Sequence, residues 1–363
     1  MIISILSLKS KNVKYNNIDF KLKSSNEINY SERVIKSIKS LSKDNCNIDF
    51  NKLEKFIDEK INLNYKNWED TDAYAKTLNS IIGNPNNSDD FKTIFDRVLS
   101  DGNWYNAKKY KTNEKPWVVL VTGLNGIRKS TSIYQPWYDA VLQEALGNTK
   151  LLLPNGQNSF FRQLDYMIAT IGNYDLRDLY SSKDITTSIY SSRKDEIFKR
   201  YRTIAEILGV LLLRSAQENR MNIMLETSGR DQAMFQYVDY LFDNTNYNKL
   251  VLRFTIDNIK YAEKSVDKRM LDEIQRGFSA ASQGVDAKEI VKINAGGPYG
   301  SEVLKGVQAD SDRVWDIVKK ENRKDWYYAC IEVRGDEDQS KWFANAILPN
   351  GKSSKTLYQF QRN

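Results

Sequence analysis

With 363 residues, 40% of them hydrophobic and 12% aromatic, the chain can bury a sizeable core and is longer than one small domain requires. Histidine is absent, which excludes a Ser-His-Asp triad, a Cys-His dyad and every His-ligated metal site, and leaves acid–base work to Asp, Glu, Lys or Tyr. The formal net charge of +7 comes from Lys, Arg, Asp and Glu interspersed along the chain, so nucleic-acid binding is not expected, whereas a phosphorylated small ligand suits the balance.

Residues 1–8 are apolar but lack the basic start and cleavage region of a secretory signal. Residues 9–25 are rich in Lys, Asn and Ser with one acid, Asp19, and read as a flexible arm, with part of a targeting sequence as the second reading. No apolar run approaches the length of a membrane span. Cys46 and Cys330 stand far apart with no partner motif, so a reducing compartment is the default. The cytoplasm is the expected location, with an organelle left open.

Residues 31–41 place Val34, Ile35, Ile38 and Leu41 on one helical face. Asn47 or Asp49 can cap a second helix that runs through Phe50, Leu53, Phe56, Ile57 and Ile61. A third helix spans 71–82 and stops at Gly83-Asn84-Pro85, and a fourth spans 88–100 and ends at Asp101-Gly102. These helices and the arm make an N-terminal module of residues 1–112 that carries no evident chemistry and is a candidate surface for a protein partner.

After a polar connector at 111–116, Trp117 to Val121 form an apolar run that enters Gly123-Leu124-Asn125-Gly126-Ile127-Arg128-Lys129-Ser130-Thr131. A buried parallel strand feeding a glycine turn and then a helix is the layout of a phosphate-binding loop. Gly123, Asn125, Gly126, Arg128, Lys129, Ser130 and Thr131 are the candidate nucleotide-binding residues, and Ser130 is the candidate magnesium ligand. Arg128 occupies the place where G-x-x-x-x-G-K-[ST] has its second glycine. Its side chain either forces the backbone out of a Gly-favoured conformation or turns outward, where it can add charge to the site.

The following helix is expected over 130–146, with Pro136 tolerable near its first turns and kinking it if deeper. Residues 151–153 read as a short strand and 154–156 as a turn. A long helix is expected over about 195–219. Residues 221–226 form a second buried strand that ends at Glu226 and the polar turn Thr227-Ser228-Gly229-Arg230. A third strand covers 249–255, a charged helix with Arg269 and Arg276 covers 261–277, residues 294–300 form a glycine loop, and 326–333 supply the last strand. Residues 336–363 carry no motif. The alternation predicts an α/β fold: a three-layer P-loop NTPase sandwich around a parallel sheet over 113–335, with the helical module before it and a C-terminal extension after it.

With these motifs in place, residues 116–335 resemble the zeta-toxin group of P-loop kinases, relatives of nucleotide and chloramphenicol kinases. The resemblance implies a kinase that uses ATP and Mg2+. It implies that Lys129 and Ser130 hold magnesium–ATP, that Glu226, Ser228 and Arg230 form the acceptor-binding turn, and that Arg269 and Arg276 are lid arginines that neutralise the transferring phosphate. The family's base is an Asp after the second strand, and this chain has Ser159 there. Asp165 is the nearby substitute, and Arg162 in the same segment joins the acceptor-binding candidates. The implied reaction is phosphorylation of a hydroxyl on a small acceptor such as a nucleotide sugar or nucleoside. The alternatives are an NTPase switch, which the absence of a downstream Asn-Lys-x-Asp loop disfavours, and a degenerate nucleotide-binding module.

Overall fold

The computed structural model describes residues 29–110, 114–181, 185–294, 296–321, 323–336 and 341–361. The arm expected at 9–25 lies outside them. The described N-terminal third carries α1 (Tyr30–Lys39), α2 (Phe50–Lys60), α3 (Trp68–Ile82), α4 (Asp89–Ile94), α5 (Asp96–Asp101) and α6 (Trp104–Lys109). Side chains of Asn29, Asp49, Asn67 and Ser88 cap the first four helices, so Asp49 rather than Asn47 starts α2. The fourth expected helix is broken at Phe95, and α6 was not expected.

Next come β1 (Trp117–Thr122), α7 (Lys129–Ser132), α8 (Tyr138–Ala145), β2 (Ser159–Arg162), α9 (Leu164–Ile171), α10 (Asn173–Leu179), α11 (Thr187–Glu218) and β3 (Asn222–Thr227). The chain continues through α12 (Ala233–Leu241), β4 (Asn248–Ile256), α13 (Ile259–Ser282), α14 (Ala287–Ile293), α15 (Leu304–Glu321), β5 (Trp326–Arg334), β6 (Phe343–Ile347) and β7 (Tyr358–Gln359).

The seven strands among the described residues form one sheet in the order β2-β3-β1-β4-β5-β6-β7. β2 through β5 pair in parallel around β1, and β6 and β7 add an antiparallel edge. β1 is buried throughout, and its side chains alternate between two cores: Val118 and Leu120 join one, while Trp117, Val119 and Val121 join the other. Helices cover both faces, which gives the three-layer α/β architecture expected. The first core also contains Val34, Leu53, Leu78 and Trp104, so the N-terminal helices pack into the same hydrophobic body as α9 and α11. Asp72 of α3 receives Arg214 of α11 in two hydrogen bonds of 2.8 and 3.0 Å. Residues 341–361, in which no motif was visible, extend the sheet.

Two local expectations are corrected. Residues 130–146 are not one helix: α7 stops at Ser132, tight turns follow, and α8 begins at Tyr138. Pro136 has no N–H to donate, and its ring would strike the Ser132 carbonyl in a continued helix. Residues 151–153 are not a strand: Leu152 is exposed and its carbonyl accepts from the Trp117 indole at 2.8 Å. The strand beside β3 is β2, four buried residues with Phe160 and Phe161 directed to opposite cores.

Candidate active site

Connections leave β1 and β3 toward opposite sides of the sheet, and in such sheets ligands bind beyond the strand C-termini where the order switches. A cleft of about 810 Å3 opens there. Its wall includes Asn125, Gly126, Arg128, Lys129, Ser130 and Thr131 of the loop after β1. Arg162 and Asp165 reach it from the end of β2, Glu226, Ser228 and Arg230 from the end of β3, and Arg269 from α13.

The loop follows from its glycines. Gly123 has φ 133° and Gly126 has φ 83°, both in the region that favours glycine, and a Cβ on Gly126 would lie 2.7 Å from the Ala262 carbonyl oxygen. The turn is therefore held tightly against α13. Lys129 is buried, and its Nζ donates to the carbonyls of Gly123 at 2.9 Å and Leu124 at 2.6 Å. The same ammonium lies 3.1 Å from Glu226 Oε1, across the end of β3. Three oxygens thus converge on one buried cation, an arrangement that phosphate oxygens can replace. Ser130 and Thr131 are exposed at the lip. Gly123 is not part of the wall and contributes through its carbonyl.

Arg128 keeps the left-handed backbone of the glycine it replaces, φ 62° and ψ 30°, and turns its guanidinium over Trp342 at 4.4 Å and Phe360 at 5.4 Å. Burial lowers its pKa from the ordinary arginine value. The C-terminal residues therefore brace the loop after β1, a link between 128 and 342–360 that no local pattern reveals.

Asp165, in the first turn of α9, has its carboxyl pushed above the usual range first by burial and then by the neighbouring Glu226 charge. Arg269 donates from Nη2 to the Gly297 carbonyl at 3.0 Å, and Gly296, Gly297, Pro298 and Tyr299 of the glycine loop form part of the cleft wall. Ala295 in that loop lies outside the described residues. Behind Arg269, Glu273 accepts from buried Lys194 at 2.7 Å and stands 3.8 Å from Arg269 Nε. Arg230 reaches the Tyr299 hydroxyl at 3.4 Å.

Two candidates differ from expectation. Arg276 does not line the cleft; its side chain is half exposed and faces Glu289 at 3.7 Å. Seven residues are about 10 Å along a helix axis, so sharing a face with Arg269 does not bring both to one site. Arg162 lines the cleft but is 2% exposed and donates from Nη1 to Glu206 at 2.8 Å and to Tyr237 at 3.1 Å. Glu206 is completely buried; burial raises its pKa, but Arg162 and Arg202 outweigh it and hold the carboxyl below its ordinary value. Sequence reasoning missed Arg202, Lys199, Phe198 and Asp195, which sit at helical spacing on the cleft face of α11, and Tyr65, Lys66 and Trp68 from the N-terminal helices.

Among the described residues no group of three His, Cys, Asp or Glu side chains is placed to hold a metal. No helix among them is long and apolar enough to cross a membrane. No family model and no curated protein matches the chain. A solved structure from the PezAT chromosomal toxin-antitoxin system of the human pathogen Streptococcus pneumoniae is similar over 68% of this chain and 79% of that chain, at 12% identity and a TM-score of 0.39.

Proposed function

We propose that the chain is a magnesium- and ATP-dependent phosphotransferase that acts on a hydroxyl of a small acceptor. The observation that carries this reading is the meeting of buried Lys129 with Glu226, Asp165 and Arg269 in one cleft beyond the ends of three parallel strands. Phosphoryl transfer asks for positioning and charge neutralisation more than covalent chemistry, and this set supplies both.

The donor set fits a nucleotide. The cleft wall has eight basic side chains against four acidic ones, an excess that suits a polyphosphate. Magnesium–ATP, when bound, supplies the phosphoryl group. Lys129 would exchange its carbonyl partners for phosphate oxygens, and the Ser130 hydroxyl would ligate the metal, which arrives with the nucleotide rather than in a carboxylate cage. Asp165 would take the proton of the attacking hydroxyl, a task that a raised carboxylate pKa favours. Glu226, released from Lys129, and Arg230 would hold the acceptor, with Ser228 beside them. Arg269, fixed by Gly297 and backed by Glu273, would neutralise charge on the transferring group.

Transfer of labelled γ-phosphate from ATP to a metabolite extract tests the reading. Lys129→Ala should abolish it, and undiminished transfer by that variant would remove the proposal. One observation favours a second reading, a nucleotide-binding module without turnover: α7 is only four residues long, so its end contributes little dipole to the phosphates. Binding of magnesium–ATP with no transfer to any acceptor would select it.

A further inference from the structure

The glycine loop at 294–300 lies directly on Arg269. A Cβ on Gly296 would stand 2.6 Å from Arg269 Nε and 2.7 Å from Glu273 Oε1, so a side chain there would push that pair aside. The Gly297 carbonyl accepts from Arg269 Nη2 at 3.0 Å, and the next carbonyl, that of Pro298, accepts from Ser191 Oγ at 2.6 Å. Gly297 also rests against Asp165, whose Oδ2 is 3.4 Å from where a Cβ would stand. The loop is thus held by α11 and holds Arg269 in turn. One nitrogen of the arginine is left over: Nε is buried, has no hydrogen-bond partner among the described residues and stands 3.8 Å from Glu273 Oε1, beyond hydrogen-bond distance.

Glu273 is engaged on its other side. Its Oε2 accepts from the Lys194 ammonium at 2.7 Å and from the Tyr190 hydroxyl at 3.4 Å, and both of these partners are completely buried. Burial lowers the Lys194 pKa and the Glu273 charge opposes that shift, but wherever the proton sits between the two, the pair carries no net charge. One buried carboxylate therefore has two cations within reach and is taken up by Lys194, which does not line the cleft, while Arg269 does. Ser191 and Lys194 stand three residues apart on α11 and share a face, just before the stretch from Asp195 to Arg202 that contributes to the cleft wall.

We infer that Ser191 and Lys194 are positioning residues for Arg269: Lys194 occupies Glu273, so the arginine is not drawn back from the cleft, and Ser191 holds the loop that pins it. This rests on the phosphotransferase reading above, in which Arg269 meets the transferring phosphate. Without Lys194, Glu273 would be a buried charge with a single cation left in reach. A shift of about 1 Å closes the gap to Arg269 Nε into a charge-assisted hydrogen bond, and that shift takes the guanidinium away from the phosphate.

Calorimetry on the full chain tests this with two ligands: magnesium–ADP, which lacks the transferring group, and magnesium with the non-hydrolysable analogue AMPPNP, which carries it. Arg269→Ala sets the scale and should weaken AMPPNP about tenfold while leaving ADP unchanged. Lys194→Met should reproduce that selective loss, and added to Arg269→Ala it should cost nothing further, as a residue acting through another must. Adding Glu273→Gln to Lys194→Met should bring AMPPNP back to within about threefold of the parent, because no carboxylate is left to draw the arginine away. Ser191→Ala removes one hydrogen bond and keeps the buried pair; it should weaken AMPPNP about threefold, again only where Arg269 is present, and it carries the test if Lys194→Met does not fold. AMPPNP affinity untouched by Arg269→Ala or by the α11 variants, equal weakening of both nucleotides, or losses that persist in the Arg269→Ala background would overturn the inference and leave the nucleotide site standing. Failure of the parent to bind either nucleotide would instead remove the phosphotransferase reading.

Discussion

Arg128→Gly separates two roles that one side chain could have. In this structure the guanidinium lies over the Trp342 and Phe360 rings. Removing a partly desolvated cation–π contact should cost about 1–2 kcal/mol. Relief of the left-handed backbone at φ 62° returns about 1 kcal/mol, and the extra unfolded-state freedom of glycine takes back about 0.5–1 kcal/mol. The net expectation is a loss of about 1 kcal/mol, which lowers Tm by about 1–2 °C in a chain of 363 residues. Differential scanning calorimetry measures it, and a cycle with Trp342→Leu isolates the pair, whose coupling should be about 1 kcal/mol. Affinity for magnesium–AMPPNP should fall no more than about threefold. A coupling near zero or a variant more stable than the parent would refute the brace, and a hundredfold loss of nucleotide affinity would make Arg128 a phosphate ligand.

Glu206→Leu should destabilise the fold by about 3–5 kcal/mol in urea unfolding, because it leaves Arg162 buried without its counter-charge, and Arg162→Met added to it should recover much of that loss. Since Arg162 and Arg202 lower the Glu206 pKa despite burial, its stabilisation is complete above the ordinary value of 4.5 and disappears as pH falls through the lower folded-state value; acid unfolding of the parent should be steeper there than that of the double variant. Asp165 works in the opposite direction: its raised carboxyl should set an acid limb in the transfer rate above the usual Asp value of 3.8, and Asp165→Asn should lose most of the rate along with that limb. Glu273→Gln should lower kcat about tenfold with little change in acceptor KM, because it loosens Arg269 without touching the acceptor wall.

The parallel sheet was legible because its strands have apolar centres and the loop after β1 carries a local pattern; β1, β3, β4 and β5 all fall within a few residues of their expected bounds. What was illegible depends on contacts across long sequence separations. β2 is four residues long, too short for periodicity to announce, and β6 and β7 are recognisable as strands only through pairing with β5. Lys129, Asp165, Glu226 and Arg269 were nameable from sequence because each stands at a strand end, in a first helical turn or on a helix face. Arg276 was named on face alone, and the rise of the helix carries it past the cleft. Tyr65 and Lys66 gave no signal, since a Tyr-Lys pair between two helices is ordinary surface until α11 presents Arg202 and Thr203 beneath it. Residues 130–146 read as one helix that Pro136 would at most kink, whereas the proline falls between two separate helices, because its distance from the helix start is set by where the preceding turn ends.

On the proposed function, the loop from 123 to 131 receives a triphosphate through Lys129. Titration of magnesium–AMPPNP into the parent and into Lys129→Met, at equal ionic strength, addresses it most directly. A single site per chain whose affinity falls at least about a hundredfold in the variant is the expected result, since the buried ammonium would be the strongest phosphate contact. Equal affinities in the two proteins, or no binding to the parent, would contradict it.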